Sequence, residues 1–313
     1  MLKHKKNVTI PDDNNSDLVR PSDWNDDHVI NGGLDLPAET VTAPAANNVR
    51  LFGRKVGGRM MPAFKGPLGL DSSLQPHIAR NKIALWSPAG NSTTVTQIGM
   101  ASSSAGTATS ANVATTNVHT AMRRLDYLVT TAATTAVAAL LSAATAANHF
   151  FMGTAPLGGF HIVLRFGGAT GMATATHRFF AGMTSGTTAV SDSEPNSRSG
   201  IIGVGYGSAD SNWKLMHKTA SGAATEIDLG ASFPRQTADR SKMYELVLFC
   251  VPGGTSVFYE FTDLGTGAVA SGEITTNLPA STTLLKWMIA ASVGGTSSVI
   301  GISVASAYSE TDY

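Results

Sequence analysis

Phe160-His161-Ile162-Val163-Leu164-Arg165-Phe166 decides how the chain is read. Its even-numbered residues are apolar, and Arg165 stands between two of them. Apolar residues at period two place one face of a β-strand in a core and the other toward water; a helix needs a period of 3.6. The same alternation continues toward the C-terminus. Between His177 and Met183, Phe179, Ala181 and Met183 share a face, and between Gly200 and Tyr206, Ile202, Val204 and Tyr206 do. Trp213, Leu215 and His217 alternate with Lys214, Met216 and Lys218. Tyr244 to Val251 is apolar on nearly both faces, as in a central strand. Pro252-Gly253-Gly254-Thr255 then turns the chain into Ser256 to Thr262, a hairpin by spacing and turn chemistry. Leu284 to Ser292 and Val299 to Tyr308 close the chain, with Ile300, Ile302, Val304 and Tyr308 expected on one face. Roughly ten strands with glycine-rich turns and no βαβ rhythm predict an all-β sandwich or barrel.

N-terminal to this block the pattern weakens. Between Asn117 and Ala147, Met122, Leu125 and Val129 stand at helical spacing, but the Thr/Ala/Val run that follows favours strands over Asp126 to Thr131 and Thr134 to Ala139. Ala101 to Thr116 is Ala/Ser/Thr/Gly/Asn-rich and reads as a linker or stalk. Lys82 to Trp86 and Thr93 to Ile98 fit short strands. Arg50, Arg54, Lys55 and Arg59 lie among glycines and methionines without interleaved aromatics, so a solvated loop or an interface is preferred over phosphate binding. The first fifty residues carry turn-forming clusters, Asp12 to Asp17 and Asn25 to Asp27, and single apolar anchors including Trp24. Such a segment buries too little apolar surface to offset ordering its own backbone. The reading is therefore three parts: an extended arm over 1–50, a β-rich connector and linker over 51–116, and a β-sandwich over 117–313.

Composition narrows the function. The 313 residues carry no net charge, and only 14% are charged, against about 25% in an average soluble domain. Gly, Ala, Ser and Thr replace the missing charge, which suits closely packed strands. A neutral chain has no basic face to draw nucleic acid or an anionic membrane. The basic start Met1-Leu2-Lys3-His4-Lys5-Lys6 is followed by no apolar stretch, so no secretory signal is read, and Thr130 to Phe151 is too polar to span a bilayer. A soluble chain made in a cytoplasm is expected. The single cysteine, Cys250, sits between Phe249 and Val251 as a small hydrophobe, and no disulfide framework is expected.

Catalytic signatures are scarce. Neither a Gly-Lys P-loop nor a Gly-x-Ser-x-Gly elbow occurs. Gly203-Val204-Gly205-Tyr206-Gly207 reads as a smooth strand face approached by another backbone, not as a dinucleotide fingerprint. The eight histidines are scattered without zinc spacing, and the acidic N-terminal clusters match no EF-hand loop, so neither metal nor cofactor is expected. Glu226-Ile227-Asp228 places two acids on one strand face, similar to the Glu-x-Asp-x-(x)-Glu strand of laminarinase-like glycosidases. Leu229, Gly230 and Ala231 stand where the acid/base glutamate belongs. Without it no general acid serves the leaving group, so no enzyme is expected.

Pro21-Ser22-Asp23-Trp24-Asn25-Asp26-Asp27-His28 resembles the Asp-Trp-Asn-x-x-His segment near the N-terminus of many tailed-bacteriophage structural proteins. Leu51 through Pro76 and Asn81 to Asn91 are similar to segments of the same proteins, and the ending, Ser292 to Gly301 and on to Glu310-Thr311-Asp312-Tyr313, resembles the C-terminus of phage tail-fibre-like proteins. The resemblance implies a homotrimer in the virion. Trp24, Asn25 and His28 would lie in an arm that docks on tail or baseplate proteins. A concanavalin-like or jelly-roll sandwich would meet the host surface at the distal end. Host glycan is the expected partner, with Tyr206, Trp213, Tyr259 and Trp287 as aromatic candidates for stacking on sugar rings. A capsid decoration or head fibre without receptor role, and a glycan depolymerase, are the alternatives.

Overall fold

A computed structural model describes residues 36, 38, 40–45, 48–65, 71–73, 82–144, 147–154 and 157–311. The chain divides into two units, Met1–Pro37 and Ala38–Tyr313. Trp24, Asn25 and His28 lie outside the described residues.

The strands in chain order are β1 (Arg50–Val56), β2 (Arg59–Lys65), β3 (Asp71–Ser73), β4 (Lys82–Pro88), β5 (Val95–Ile98), β6 (Ser103–Ala105) and β7 (Thr107–Ala111). A four-residue helix α1 (Val118–Ala121) precedes β8 (Arg124–Ala133), β9 (Val137–Leu141), β10 (Phe160–Thr170), β11 (Arg178–Thr184), β12 (Ile201–Tyr206) and β13 (Lys214–His217). They are followed by β14 (Thr225–Asp228), β15 (Tyr244–Cys250), β16 (Val257–Asp263), β17 (Val269–Ile274), β18 (Lys286–Ser292) and β19 (Ser298–Thr311). All named pairings are antiparallel. One sheet has nine strands, running β17-β16-β15-β10-β19-β4-β5 with β8 and β7 attached beside β19; the other runs β14-β13-β12-β11-β18-β9-β6. A three-stranded sheet, β1-β2-β3, stands apart from these two.

The core fills the space between the two large sheets. Phe160, Ile162, Leu164 and Phe166 of β10 face Phe179, Ala181 and Met183 of β11, Ile202, Val204 and Tyr206 of β12, and Trp287 and Ile289 of β18. β15 is central, hydrogen-bonded to β10 on one side and β16 on the other. The all-β sandwich expected from period two is what the chain forms, and the concanavalin-like or jelly-roll expectation is met as two packed antiparallel sheets.

Three expectations are corrected. The stretch taken as linker supplies strands: β6 pairs with β9 and β7 with β8, and β4 and β5 join the nine-stranded sheet beside β19. The sandwich thus begins near residue 82, not 117. Small residues read as a stalk serve as edge strands, where side chains contribute little and backbone pairing dominates. The basic stretch after Arg50 is no loop: β1 and β2 form a hairpin whose Arg59 pairs with buried Glu310 and lies over Phe249 at 5.9 Å, and whose Lys55 lies over Phe258. Finally, Tyr308 leaves the face shared by Ile300, Ile302 and Val304. Arg165 pairs with Ser306 but Phe166 with Val304, so Ala305 is an extra residue. This bulge flips the alternation, sending Ala307 into the core and Tyr308 outward, where its hydroxyl donates to Glu310 at 2.7 Å.

Between 117 and 147 both readings survive in part. Asn117 caps α1 by accepting from the Thr120 amide at 2.9 Å, but the helix ends at Ala121. The first expected strand lies within β8. The second is displaced to β9, because Thr134 and Thr135 form the turn.

The glycine stretch in β12 is a close backbone approach, as its alternation implied. Gly203 pairs with Gly182 of β11, and a Cβ on Gly203 would meet the Ala181 carbonyl oxygen and stand 2.7 Å from the Gly182 Cα. We expect Gly203→Ala to lower stability by about 1–3 kcal/mol through this overpacking, read as a drop in the denaturant midpoint with unchanged slope.

Candidate functional site

The aromatic residues expected to meet a ligand turn inward. Tyr206, Trp213 and Trp287 are fully buried in the core. Trp213 is its hub, with the rings of Tyr206, Tyr244, Phe261 and Phe179 centred 4.7, 4.9, 5.1 and 5.4 Å away. The Tyr206 hydroxyl meets His177 Nε2 at 2.7 Å, and Arg235 covers its ring at 5.1 Å. Period-two alternation places these residues on the inner face, and nothing in the alternation distinguishes an inner aromatic that packs from one that binds. Tyr259 also points inward, half-buried at the rim of the core opposite Gly272. No sugar ring can stack on the three buried aromatics in this arrangement.

Two polar clusters sit on the outer face of the nine-stranded sheet. His119 Nε2 lies 3.0 Å from Ser303 Oγ, which donates to Asp126 Oδ1, while Arg240 pairs with the other Asp126 oxygen at 2.8 Å. His119, Ser303 and Asp126 are all fully buried, and the carboxylate is bonded to the serine, not to the imidazole. The arrangement supplies no exposed nucleophile and no oriented base. In the second cluster Glu310 pairs with Arg59 beside His161. Glu226 and Asp228 are also engaged. Glu226 accepts from Asn196 Nδ2 and from Lys214 Nζ at 3.0 Å, and Asp228 accepts from Asn212 and from the Gly230 amide at 2.7 Å. Among the described residues no three of His, Cys, Asp and Glu gather as a metal site, and no helix is long and apolar enough to cross a membrane.

An accessible site lies on the outer face of the seven-stranded sheet. Here β18, β11 and β9 direct Lys286, Met288, Thr184 and Leu141 away from the core, since their neighbours Trp287, Met183 and Leu140 point into it. The connection between β11 and β12, residues 185–200, crosses this face as a strap. Its fastening is electrostatic. Arg178 of β11 donates to Asp192 at 2.7 Å and to Glu194 at 2.8 Å. Asp192 also accepts from the amides of Gly294 and Gly295, at 2.9 and 2.8 Å; burial pushes its carboxyl up, but Ser292, these amides and the Arg178 charge together hold it below the usual range. Glu194 accepts from Ser208, and Asn196 ties the strap's short Pro195–Ser197 turn to Glu226. Val190 packs on Phe180, Ile201, Met216 and Met288 as a small second core.

Between strap and sheet is a cavity of about 380 Å³. Its floor is Leu141 and Met288; its walls carry hydroxyls of Thr184, Thr188, Ser191, Ser193, Ser197 and Ser199; and two cations, Lys286 and Arg198, line it. Lys286 is buried, which lowers its pKa. Burial, and then the neighbouring Arg178 charge, push Arg198 down to about 10, against the pull of Asp192. Sequence reasoning missed these residues. Ser185 to Ser199 reads as a polar loop, and only its length hinted at more than a turn.

No protein-family model and no curated protein matches the sequence. Among solved structures, a Shewanella oneidensis MR-1 protein of unknown function is similar at 17% identity, with 76% of this chain and 90% of that one covered and a TM-score of 0.48. Peanut lectin is similar at 11% identity, over 74% and 97%, with a TM-score of 0.48. The CBM2 module of the evolved Dit from Lactobacillus casei BL23 phage J-1 is similar at 11% identity, over 61% and 70%, with a TM-score of 0.32.

Two outcomes follow from the inward residues. Trp213→Ala should cost about 3–5 kcal/mol of stability, measured by denaturant unfolding, because it empties the centre of the core. Burial lowers the His177 pKa from 6.5 to about 4, more than the Thr174 carbonyl raises it. Folded His177 is therefore neutral where the unfolded residue binds a proton, so stability is complete above pH 6.5 and falls as pH drops toward 4. The loss is of order 3 kcal/mol, and a pH series of denaturant midpoints should show the fall reduced in His177→Gln, the rest coming from His119 and His161, which burial also lowers.

Proposed function

We propose that the chain is a structural protein of a tailed-phage virion, carried on a tail fibre or baseplate, whose sandwich binds a host-surface glycan in the cavity beneath the 185–200 strap. The observation that carries this is the cavity's lining. A hydroxyl-rich wall over an apolar floor offers donors and acceptors for sugar hydroxyls and a surface for ring carbons. The strap is fastened to two strands and to the Gly294–Gly295 turn, so the site is preorganised and loses little ordering entropy on binding. Tail-fibre resemblance at Asp23 to His28 and at the C-terminal end supports the virion setting. In this reading the protein is a homotrimer, Trp24, Asn25 and His28 dock the arm on tail or baseplate proteins, and the glycan is bound without being cleaved. Non-cleavage is supported by the engagement of Glu226 and Asp228 with Asn196, Lys214, Asn212 and the Gly230 amide.

The full chain is the material for the test, since a fragment beginning at 118 would lose β4 to β7 from both sheets. Wild-type protein should be retained on host cells or on their purified polysaccharide, and no new reducing ends should appear. Ser193→Trp, which fills the cavity, should abolish retention while leaving the thermal midpoint within a few degrees of wild type. Retention that survives the filled cavity would remove this site, and a folded wild type that is never retained would remove the receptor role.

A further inference from the structure

Resting on the glycan reading of this cavity, we infer that its ligand carries an anionic group, a sugar carboxylate or phosphate, seated on Arg198. Three observations converge. First, the Arg198 Nε is shielded from solvent and has no hydrogen-bond partner among the described residues, although the residue lines the cavity. A buried guanidinium nitrogen without an acceptor is costly to leave unmade, and an arriving oxygen satisfies it.

Second, the nearby carboxylates are already engaged. Asp192 accepts from Arg178, Gly294 and Gly295, and Glu194 from Arg178 and Ser208. Asp192 lies close enough to stabilise the Arg198 charge, but Arg178 opposes it. Third, Lys286 lines the same cavity from the sheet side. Arg178 is taken up by Asp192 and Glu194, and Arg198 lines a partly enclosed space where screening is weak. A guanidinium fork donates to carboxylate or phosphate oxygens pairwise, and the surrounding serines and threonines complete the shell around the sugar.

Calorimetric titration of the full chain with oligogalacturonate, mannose 6-phosphate, a neutral maltooligosaccharide and inorganic phosphate tests this. One acidic sugar should bind about ten- to hundred-fold more tightly than the neutral one, with affinity falling as salt rises. Arg198→Gln should erase that preference, and Arg198→Lys should retain part of it, both with wild-type thermal midpoints. Which acidic sugar wins separates carboxylate from phosphate. Equal binding of neutral and acidic sugars, unaffected by Arg198→Gln, overturns the anionic subsite and leaves the glycan reading standing. Binding of inorganic phosphate but of no saccharide retains the anion site and overturns the glycan reading. No binding of any probe overturns both.

Discussion

β19 is hydrogen-bonded to three other strands, and the nine-stranded sheet depends on it. One edge pairs with β10 along most of its length; the other pairs with β8 over Ser298 to Val304 and then with β4 over Ala307 to Thr311. A single strand can serve two successive neighbours only if it is long and changes direction between them. The bulge at Ala305 supplies that change, since an extra residue increases local twist and bends the strand. It also reverses which side chains face out. Glu310 therefore lies on the outer face opposite His161, where Arg59 of the β1–β2 hairpin reaches it. The ion pair that fastens the hairpin thus originates in an irregularity of the last strand.

This explains which parts of the fold were legible. Strands with one buried face, such as Phe160 to Phe166 or Ile201 to Tyr206, declare themselves because burial writes a period of two into the sequence. Edge strands do not. β6 and β7 consist of Ser, Ala and Thr, and their stability comes from backbone pairing with β9 and β8, to which their side chains leave little trace. The β1–β2 hairpin was obscured for a different reason. Its basic residues find their partners at Glu310 and Phe258, some two hundred residues away, and only tertiary structure brings them together.

Legibility of the site follows the same logic with the sign reversed. Aromatics suit sugar recognition, but Tyr206, Trp213 and Trp287 lie in phase with the core alternation, which is evidence for burial. Trp213 and Trp287 are inside for the same reason that their strands were recognised. The strap has no period. Its functional content lies in which charges are paired, and Arg178 is the residue that settles this. By donating to both Asp192 and Glu194 it fixes the loop across the sheet.

The two outer faces of the sandwich are accordingly used in different ways. On the nine-stranded sheet, polar groups are buried and joined to one another, as in Asp126 with Ser303 and Arg240, and Glu310 with Arg59. Such clusters fix register. On the seven-stranded sheet the strap spans the outer face, fastened to Arg178, Glu226 and the Gly294–Gly295 turn, and the cavity lies between it and Leu141 and Met288. Arg198 and Lys286 border that space. On the proposed reading, stability and binding are separated onto opposite faces of one fold.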